Sequence, residues 1–178
     1  MAKIKKIIAH EILDSRGHPT IEAIIELEDL AVGVFSTPSG ISVGKFEAVE
    51  LRDNDPKRYA GLGVLKALEK IVRDIAPKLI GRDAQFQEEI DKLLIQIDGS
   101  TNKSNLGANT TLAISGAVAK ASAASLKMPL YQYVAGLLGS GVSQFVIPTP
   151  MFNVINGGKH GMNNLDYQEF LMVLPHAN

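Results

Sequence analysis

The chain has 178 residues, enough for one domain or slightly more, and its formal net charge of −1 leaves no basic excess for binding nucleic acid. Cysteine is absent, which excludes disulfides, thiolate metal sites and a cysteine nucleophile. No apolar stretch reaches about 18 residues, and the apolar run near the N-terminus is too short and interrupted for a signal peptide, so we expect no membrane span. These features fit a reducing compartment, and we expect a cytoplasmic protein.

Three strands open the chain. Residues 3–13 are rich in isoleucine, residues 20–27 alternate between apolar and polar side chains except at Ile24, and residues 31–36 form a third strand. The alternation in the second strand predicts that one face is buried and the other faces water. Because the connections between the strands are short, we expect an antiparallel meander.

Helices follow the strands. Apolar residues recur at helical intervals at four positions: Leu65, Leu68, Ile71 and Ile75. Pro77 is expected to interrupt this helix. A second amphipathic helix is predicted over residues 86–97, with Asp83 as its N-cap. Small residues dominate the next helix, 108–126, which lets it pack close to its neighbours, and Pro129 then occupies the first position of a short helix.

Strands followed by helices predict an α+β unit over residues 1–140. Residues 141–178 form a second unit, in which two apolar runs, 145–155 and 170–174, are interpreted as strands buried on both faces. A polar loop joins the two runs. Titratable groups at the mouth of buried strands are typical of an active site in an α/β barrel.

The loop between the two apolar runs carries the candidate site residues. Gly157 and Gly158 permit a close backbone approach to a ligand. His160 is a lone histidine, and such a residue is more often structural than catalytic. Glu169 directly precedes a fully apolar run, so its carboxylate is expected to be partly desolvated and is the stronger candidate. Gln168 cannot titrate, but it can orient a substrate carboxylate or hydroxyl.

A Gly/Ser loop at residues 37–44 is a weaker signal. Closed over a ligand, it could bring Ser42 to a metal or phosphate, but most such loops are surface connections, and this one lacks the P-loop lysine. The charged residues that follow are interpreted as a solvated face rather than an ion-pair network: Glu47, Glu50, Arg52, Asp53 and Asp55. Asp14 and Arg16 are interpreted as part of an ordinary turn, and the Asn-x-Ser/Thr matches, including that at Asn109, as chance.

Several motifs, taken in order, resemble those of one family. They are DSRGHPT at residues 14–20, PSGISVG at 38–44, FNVINGG at 152–158 and QEF at 168–170. They are similar to motifs in the N-terminal portion of the enolase family, where Asn is more usual than His18 and the loop usually reads PSGASTG. The likeness covers almost the whole chain. It implies an N-terminal cap domain over residues 1–140, with an antiparallel three-stranded meander and a helical cluster, and the first two strands of an incomplete α/β barrel over 141–178.

The resemblance also implies an activity, the reversible dehydration of 2-phosphoglycerate to phosphoenolpyruvate in glycolysis and gluconeogenesis. It implies Mg²⁺ as cofactor and a homodimer or higher oligomer. By the same resemblance, Ser42 ligates the second magnesium ion when its loop closes, and His160 lies at the substrate phosphate. Glu169 is the acidic partner that assists departure of the hydroxyl, and Gln168 contacts the substrate.

The sequence departs from the family pattern at Ile41 and Val43, which flank Ser42 and leave it intact, so we expect changed loop dynamics rather than lost chemistry. By the resemblance, the catalytic lysine, a second catalytic glutamate and three metal-binding carboxylates fall beyond Asn178. We therefore expect the source gene to continue and this chain alone to be inactive. Two alternatives stay open: a non-catalytic binding or assembly module that keeps the cap fold, and another metal-dependent lyase or racemase of the same superfamily. Ser42, His160 and Glu169 together favour a fragment of a catalytic enolase-family enzyme over the non-catalytic module.

Overall fold

The computed structural model of the chain describes residues 2–40, 44–139, 145–158, 161–162 and 164–174. The chain divides into two compact units, Met1–Gly141 and Val142–Asn178. Among the helices of the described residues, none has the length and apolarity needed to cross a membrane.

A three-stranded antiparallel sheet opens the first unit. Its strands are β1 (Ile4–Leu13), β2 (Pro19–Leu27) and β3 (Val32–Ser36), in the order β1-β2-β3. The predicted meander is therefore confirmed. The alternation in β2 is also confirmed, because one set of its side chains is fully buried: Ile21, Ala23, Ile25 and Leu27.

The helices of the first unit begin after a 3₁₀ turn at Tyr59–Gly61. They are α1 (Leu65–Lys70), α2 (Ala76–Leu79), α3 (Gln87–Asp98), α4 (Ala108–Ser125) and α5 (Leu130–Leu137), with a π-helical turn, Ile71–Ile75, between α1 and α2. The predicted order of strands and then helices is thus the observed one. Pro129 precedes α5 as its N-cap rather than occupying the first helical position.

Pro77 does not interrupt the helix as predicted. The helix continues through Pro77 to Leu79, and the change in geometry comes earlier, where the Ala76 N–H bonds to the Ile71 carbonyl five residues back. A proline inside an α-helix lacks the N–H for its own bond and clashes with the carbonyl four residues before it. The wider π turn places the proline near the start of a new helical segment, where no N–H is needed.

Asp83 does not cap α3. Its Oδ1 accepts a bond from the Gln85 N–H at 3.1 Å, and Phe86 is the residue directly before the helix, without a side-chain cap. The side chain of an aspartate often accepts a bond from the backbone N–H two residues later and so closes such a short turn. The prediction of α3 itself is confirmed, but the helix starts at Gln87, two residues after the turn that Asp83 closes with Gln85.

Helix α4 packs across the sheet through small residues, as predicted. Ala113, Ala117 and Ala121 are fully buried. The approach is so close that a Cβ added to Gly33 of β3 would lie 2.1 Å from the Ala117 carbonyl oxygen. Gly116 makes similar room for the Phe35 ring, which would lie 2.6 Å from an added Cβ. Small residues on both elements therefore set the distance between helix and sheet.

The charged stretch after the Gly/Ser loop is only partly a solvated face. Glu47 and Asp55 are exposed, but Asp53 is only 9% exposed. Its carboxylate accepts bonds from the Leu65 N–H at 3.0 Å and the Lys66 N–H at 2.8 Å. Asp53 therefore caps the N-terminus of α1, although it lies 12 residues before Leu65. The interpretation of this stretch as solvated is wrong for Asp53.

Arg58 completes the cluster around the start of α1. Its guanidinium bonds to both carboxylate oxygens of Glu11 and lies 3.4 Å from the carboxylate of Asp53. Glu11 also accepts a bond from the Val64 N–H at 2.9 Å. Two carboxylates thus take the backbone donors at the start of α1, and one arginine offsets their charge.

Glu11 is expected to contribute stability that depends on pH. Hydrogen bonding to Arg58 lowers the pKa of Glu11, with the Val64 N–H acting in the same direction and burial opposing both. A carboxyl whose pKa is lowered on folding stabilises the protein above its unfolded pKa, and this stability is lost as the pH falls through the folded pKa. We expect Glu11→Gln to lower the free energy of unfolding at pH 7 by about 1–2 kcal/mol.

Urea unfolding at pH 7 and at pH 3 checks this expectation. The difference between Glu11→Gln and the wild type should shrink at the lower pH. Glu26→Gln is the matched control, because Glu26 pairs with Lys5 at 3.1 Å on the surface, where such pairs contribute little. A Glu11→Gln effect that is unchanged at pH 3 would show that the ionised carboxylate is not the source of the stability.

The second unit is an antiparallel hairpin of β4 (Met151–Asn156) and β5 (Glu169–Val173). The first predicted strand, 145–155, begins only at Met151, because Pro148 and Pro150 have no N–H to give to a strand ladder. The strands were also predicted to be buried on both faces. Their side chains are exposed in this chain.

Candidate active site

The second unit brings the two ends of the polar loop together. Asn156, the last residue of β4, is paired with Glu169, the first residue of β5. The Gly157 N–H donates to the Gln168 carbonyl at 2.9 Å and closes the end of the hairpin. A Cβ on Gly157 would lie 2.2 Å from the Tyr167 carbonyl oxygen. The glycine pair therefore allows close approach as predicted, but the approach seen here is to the chain's own backbone.

Two of the four predicted site residues lie in the described part of the chain. Gln168 and Glu169 are adjacent at the start of β5, and both are exposed. The partial desolvation predicted for Glu169 is therefore not found in this chain. Ser42 and His160 lie outside the described residues, so their roles stay predictions.

The first unit has a cavity of about 600 Å³ beside the Gly/Ser loop. Its wall includes the loop residues Ser39 and Gly40, the charged residues Glu50 and Arg52, and the start of α4 at Asn109. Most of the remaining lining is apolar. The cavity thus adjoins the last described residues before Ser42.

The turn at Asp14 is more than an ordinary turn. Asp14 Oδ2 accepts a bond from the Ser39 hydroxyl at 2.6 Å, and Arg16 Nη2 donates to the Ser39 carbonyl at 2.9 Å. The β1–β2 connection is thus bound to the start of the Gly/Ser loop. Nothing in the sequence signalled this pairing, because Asp14 and Ser39 are 25 residues apart.

Glu50 holds the next residue of the loop. Its Oε1 accepts a bond from the Gly40 N–H at 3.1 Å, and its Oε2 pairs with Arg52. Arg52 in turn donates to the carbonyls of Pro19 at 2.6 Å and Leu62 at 2.8 Å. For Glu50 and Arg52, the ion-pair network considered as the alternative to a solvated face is the observed arrangement.

Asn109 fixes the segment that leaves the loop. Its side-chain amide bonds to both the N–H and the carbonyl of Leu51, at 3.0 and 3.1 Å. Its own carbonyl accepts a bond from the Thr37 hydroxyl at 3.2 Å. The side chain is buried, which agrees with the interpretation of its Asn-x-Ser/Thr match as chance. The loop is therefore anchored on both sides within the first unit.

The described residues contain no group of three or more His, Cys, Asp or Glu side chains that could hold a metal ion. Ser42, the magnesium ligand implied by the resemblance, is not among the described residues.

Comparison with known families decides the relationship. The model described as "Enolase, N-terminal domain" matches residues 4–134, and the model described as "Enolase, C-terminal TIM barrel domain" matches residues 144–178. The chain belongs to the enolase family. The resemblance read from the motifs is thus confirmed, and so is the fold predicted from it: a three-stranded antiparallel sheet, then helices, then a two-stranded sheet.

Curated enolases are similar over nearly the whole chain. The chain is 55% identical over 175 residues to the enolase of Ehrlichia canis (strain Jake), covering 98% of this chain and 40% of the relative. Identity is also 55% to the enolase of Anaplasma phagocytophilum (strain HZ), covering 39% of it, and 54% to that of Ehrlichia chaffeensis (strain ATCC CRL-10679 / Arkansas), covering 40%. The chain spans about two fifths of the length of these enolases.

Proposed function

We propose that the chain is the N-terminal part of an enolase that converts 2-phosphoglycerate reversibly to phosphoenolpyruvate and water, in glycolysis and gluconeogenesis. The observation that supports this most strongly is the match to both enolase family models, in order and over nearly the whole chain. Residues 1–140 are the proposed cap domain and residues 141–178 the proposed start of the barrel. The proposal includes a cytoplasmic protein that assembles as a homodimer or higher oligomer.

In the proposed reaction, a proton leaves the carbon next to the substrate carboxylate, and a hydroxyl leaves the adjacent carbon as water. Glu169 is the proposed acid that gives the departing hydroxyl its proton, and Gln168 orients the substrate beside it. The hairpin supports this pairing, because Glu169 begins β5 opposite Asn156, and the carbonyl of Gln168, the residue before it, accepts a bond from the Gly157 N–H. His160 is proposed to bind the substrate phosphate.

Mg²⁺ is the proposed cofactor. Loss of a proton beside a carboxylate concentrates negative charge on the intermediate, and a divalent cation supplies the opposite charge. Ser42 is the proposed ligand from this chain. As the family resemblance implies, the carboxylate ligands of the metal are proposed to lie outside residues 1–178.

A direct assay tests the proposal. We expect the complete gene product, meaning this chain with all that its gene encodes after Asn178, to form phosphoenolpyruvate from 2-phosphoglycerate in the presence of Mg²⁺. The polypeptide of residues 1–178 should form none, because it supplies neither the proton-abstracting base nor the metal carboxylates. Formation of phosphoenolpyruvate is followed by its ultraviolet absorbance, with chelated enzyme as the blank.

Each outcome of this assay has a clear meaning. Turnover by residues 1–178 alone would refute the proposal that this part of the chain holds only part of the active site. A folded complete product that forms no phosphoenolpyruvate would refute the proposed function. A stop codon directly after Asn178 would favour the binding or assembly module instead.

A further inference from the structure

Asp14 uses its two carboxylate oxygens for different tasks. Oδ1 accepts bonds from the Arg16 N–H at 2.8 Å and the His18 N–H at 2.9 Å, and so closes the turn between β1 and β2. Oδ2 accepts the Ser39 hydroxyl at 2.6 Å. The second bond is not needed to form the turn. It joins the turn to the loop that leads to Ser42.

Ser39 is held at two points. Besides its hydroxyl bond to Asp14, its carbonyl accepts a bond from Arg16 Nη2 at 2.9 Å, and Arg16 Nη2 lies 3.5 Å from Asp14 Oδ2. The Ser39 hydroxyl and then the His18 N–H lower the pKa of Asp14, so the carboxylate stays ionised at neutral pH. Hydrogen bonds to an ionised group are stronger than those between neutral groups.

Gly40 is fixed independently of Asp14. Its N–H donates to Glu50 at 3.1 Å, and Arg52 holds Glu50 in place. Two consecutive residues are thus bound by carboxylates from two separate parts of the chain. Ser39 and Gly40 are the last described residues before Ser42, so these bonds fix the position and direction from which the chain continues.

We propose that Asp14 is a positioning residue, which acts through Ser39 to place the segment carrying Ser42. The proposal rests on the proposed function, in which Ser42 works in the active site. Reacting groups must be placed precisely, and a displacement of about 1 Å can cost about 10²-fold in rate. A turn on the edge of the sheet would then affect catalysis without touching the substrate.

Asp14→Asn in the complete gene product tests this role. The amide oxygen can still close the turn, but the NH₂ group cannot accept the Ser39 hydroxyl. We expect kcat/KM for 2-phosphoglycerate to fall at least about tenfold, because Ser39 loses its bond to an ionised carboxylate and keeps only the bond from Arg16. Ser39→Ala should give a similar loss, and Ser39→Thr, which keeps the hydroxyl, should restore most of the activity.

Asp29→Asn is the matched control. Asp29 closes the β2–β3 turn with a bond from the Ala31 N–H at 3.1 Å, and its other oxygen accepts the Ser125 hydroxyl. It therefore makes the same kinds of bond away from the loop. We expect Asp29→Asn to change thermal stability about as much as Asp14→Asn does, but to leave kcat/KM near the wild-type value.

Hydrogen exchange measured by mass spectrometry provides a second readout. Asp14→Asn should speed amide exchange over residues 37–40, and Asp29→Asn should not. Equal kcat/KM for the two variants, or a failure of Ser39→Thr to restore activity, would overturn the positioning role while leaving the enolase activity in place. A wild-type gene product without activity would instead overturn the proposed function, and the positioning role with it.

Discussion

Replacement of Glu169 by glutamine in the complete gene product is expected to lower kcat by about 10²–10⁴-fold, the usual contribution of a general acid. Glutamine keeps the size of the side chain and its capacity for hydrogen bonds, but it has no acidic proton for the departing hydroxyl. The side chain is exposed, and β5 is joined to β4 through its backbone, so the substitution should leave the hairpin intact. Steady-state formation of phosphoenolpyruvate measures the effect.

Asp166→Asn is the matched control for Glu169→Gln. Asp166 is an exposed carboxylate three residues earlier in the same polar loop, and the proposed reaction does not use it. Its loss should change kcat by no more than about twofold, as is usual for a surface substitution. If both variants lose activity equally, the effect comes from the charge of the loop rather than from Glu169 as an acid. Full activity in Glu169→Gln would remove Glu169 from the mechanism.

The sheet and the main helices could be predicted because their signals are local. In β2, alternate residues point to opposite faces, so the pattern of the sequence is the pattern of burial. In α4, a run of small residues predicts close packing, and the helix does pack closely on β3. Pro77 shows the limit of local signals. Its effect on a helix depends on whether the preceding turn can widen, and the sequence does not report this.

The anchors of the loop could not be predicted, because they join residues that are far apart in the sequence. Asp14 meets Ser39, and Glu11 meets Arg58 47 residues later. Asp14 and Ser39 lie in two separate motifs, 14–20 and 38–44, and neither motif shows which residue its partner is. A charged residue in a turn is usually solvated, so the sequence alone favours a solvated residue. Only the fold shows which distant side chain pairs with it.

The candidate site, too, was predictable from the sequence only in part. Glycine in the polar loop signalled a close approach, and the hairpin at Gly157 has one. The desolvation of Glu169 was inferred from the apolar run after it. An apolar run indicates a strand that is stable when it is buried. The side chains of β5 are exposed in this chain. Ser42 and His160 were identified through the family motifs, and their roles stay predictions.

Gly33→Ala is expected to lower the free energy of unfolding of the first unit by about 3 kcal/mol, near the upper end of the usual cost of overpacking. The added Cβ would lie 2.1 Å from the Ala117 carbonyl oxygen and 2.3 Å from the Ala121 nitrogen. Both are backbone atoms of α4, so no side-chain rotation can relieve the clash. The helix would have to move away from the sheet and weaken the packing of Ala117 and Ala121, which are fully buried.

Gly136→Ala separates this steric effect from the general effect of replacing glycine. Gly136 lies in α5, and a Cβ added there would meet no atom within 4 Å. Alanine is favoured over glycine in a helix by up to about 1 kcal/mol, so this variant should be slightly more stable than the wild type. The same added methyl group is thus expected to act with opposite sign at the two positions.

Urea unfolding followed by circular dichroism measures both variants. A Gly33→Ala protein as stable as the wild type would mean that α4 can shift on the sheet at little cost, and that glycine does not set the spacing of the two layers.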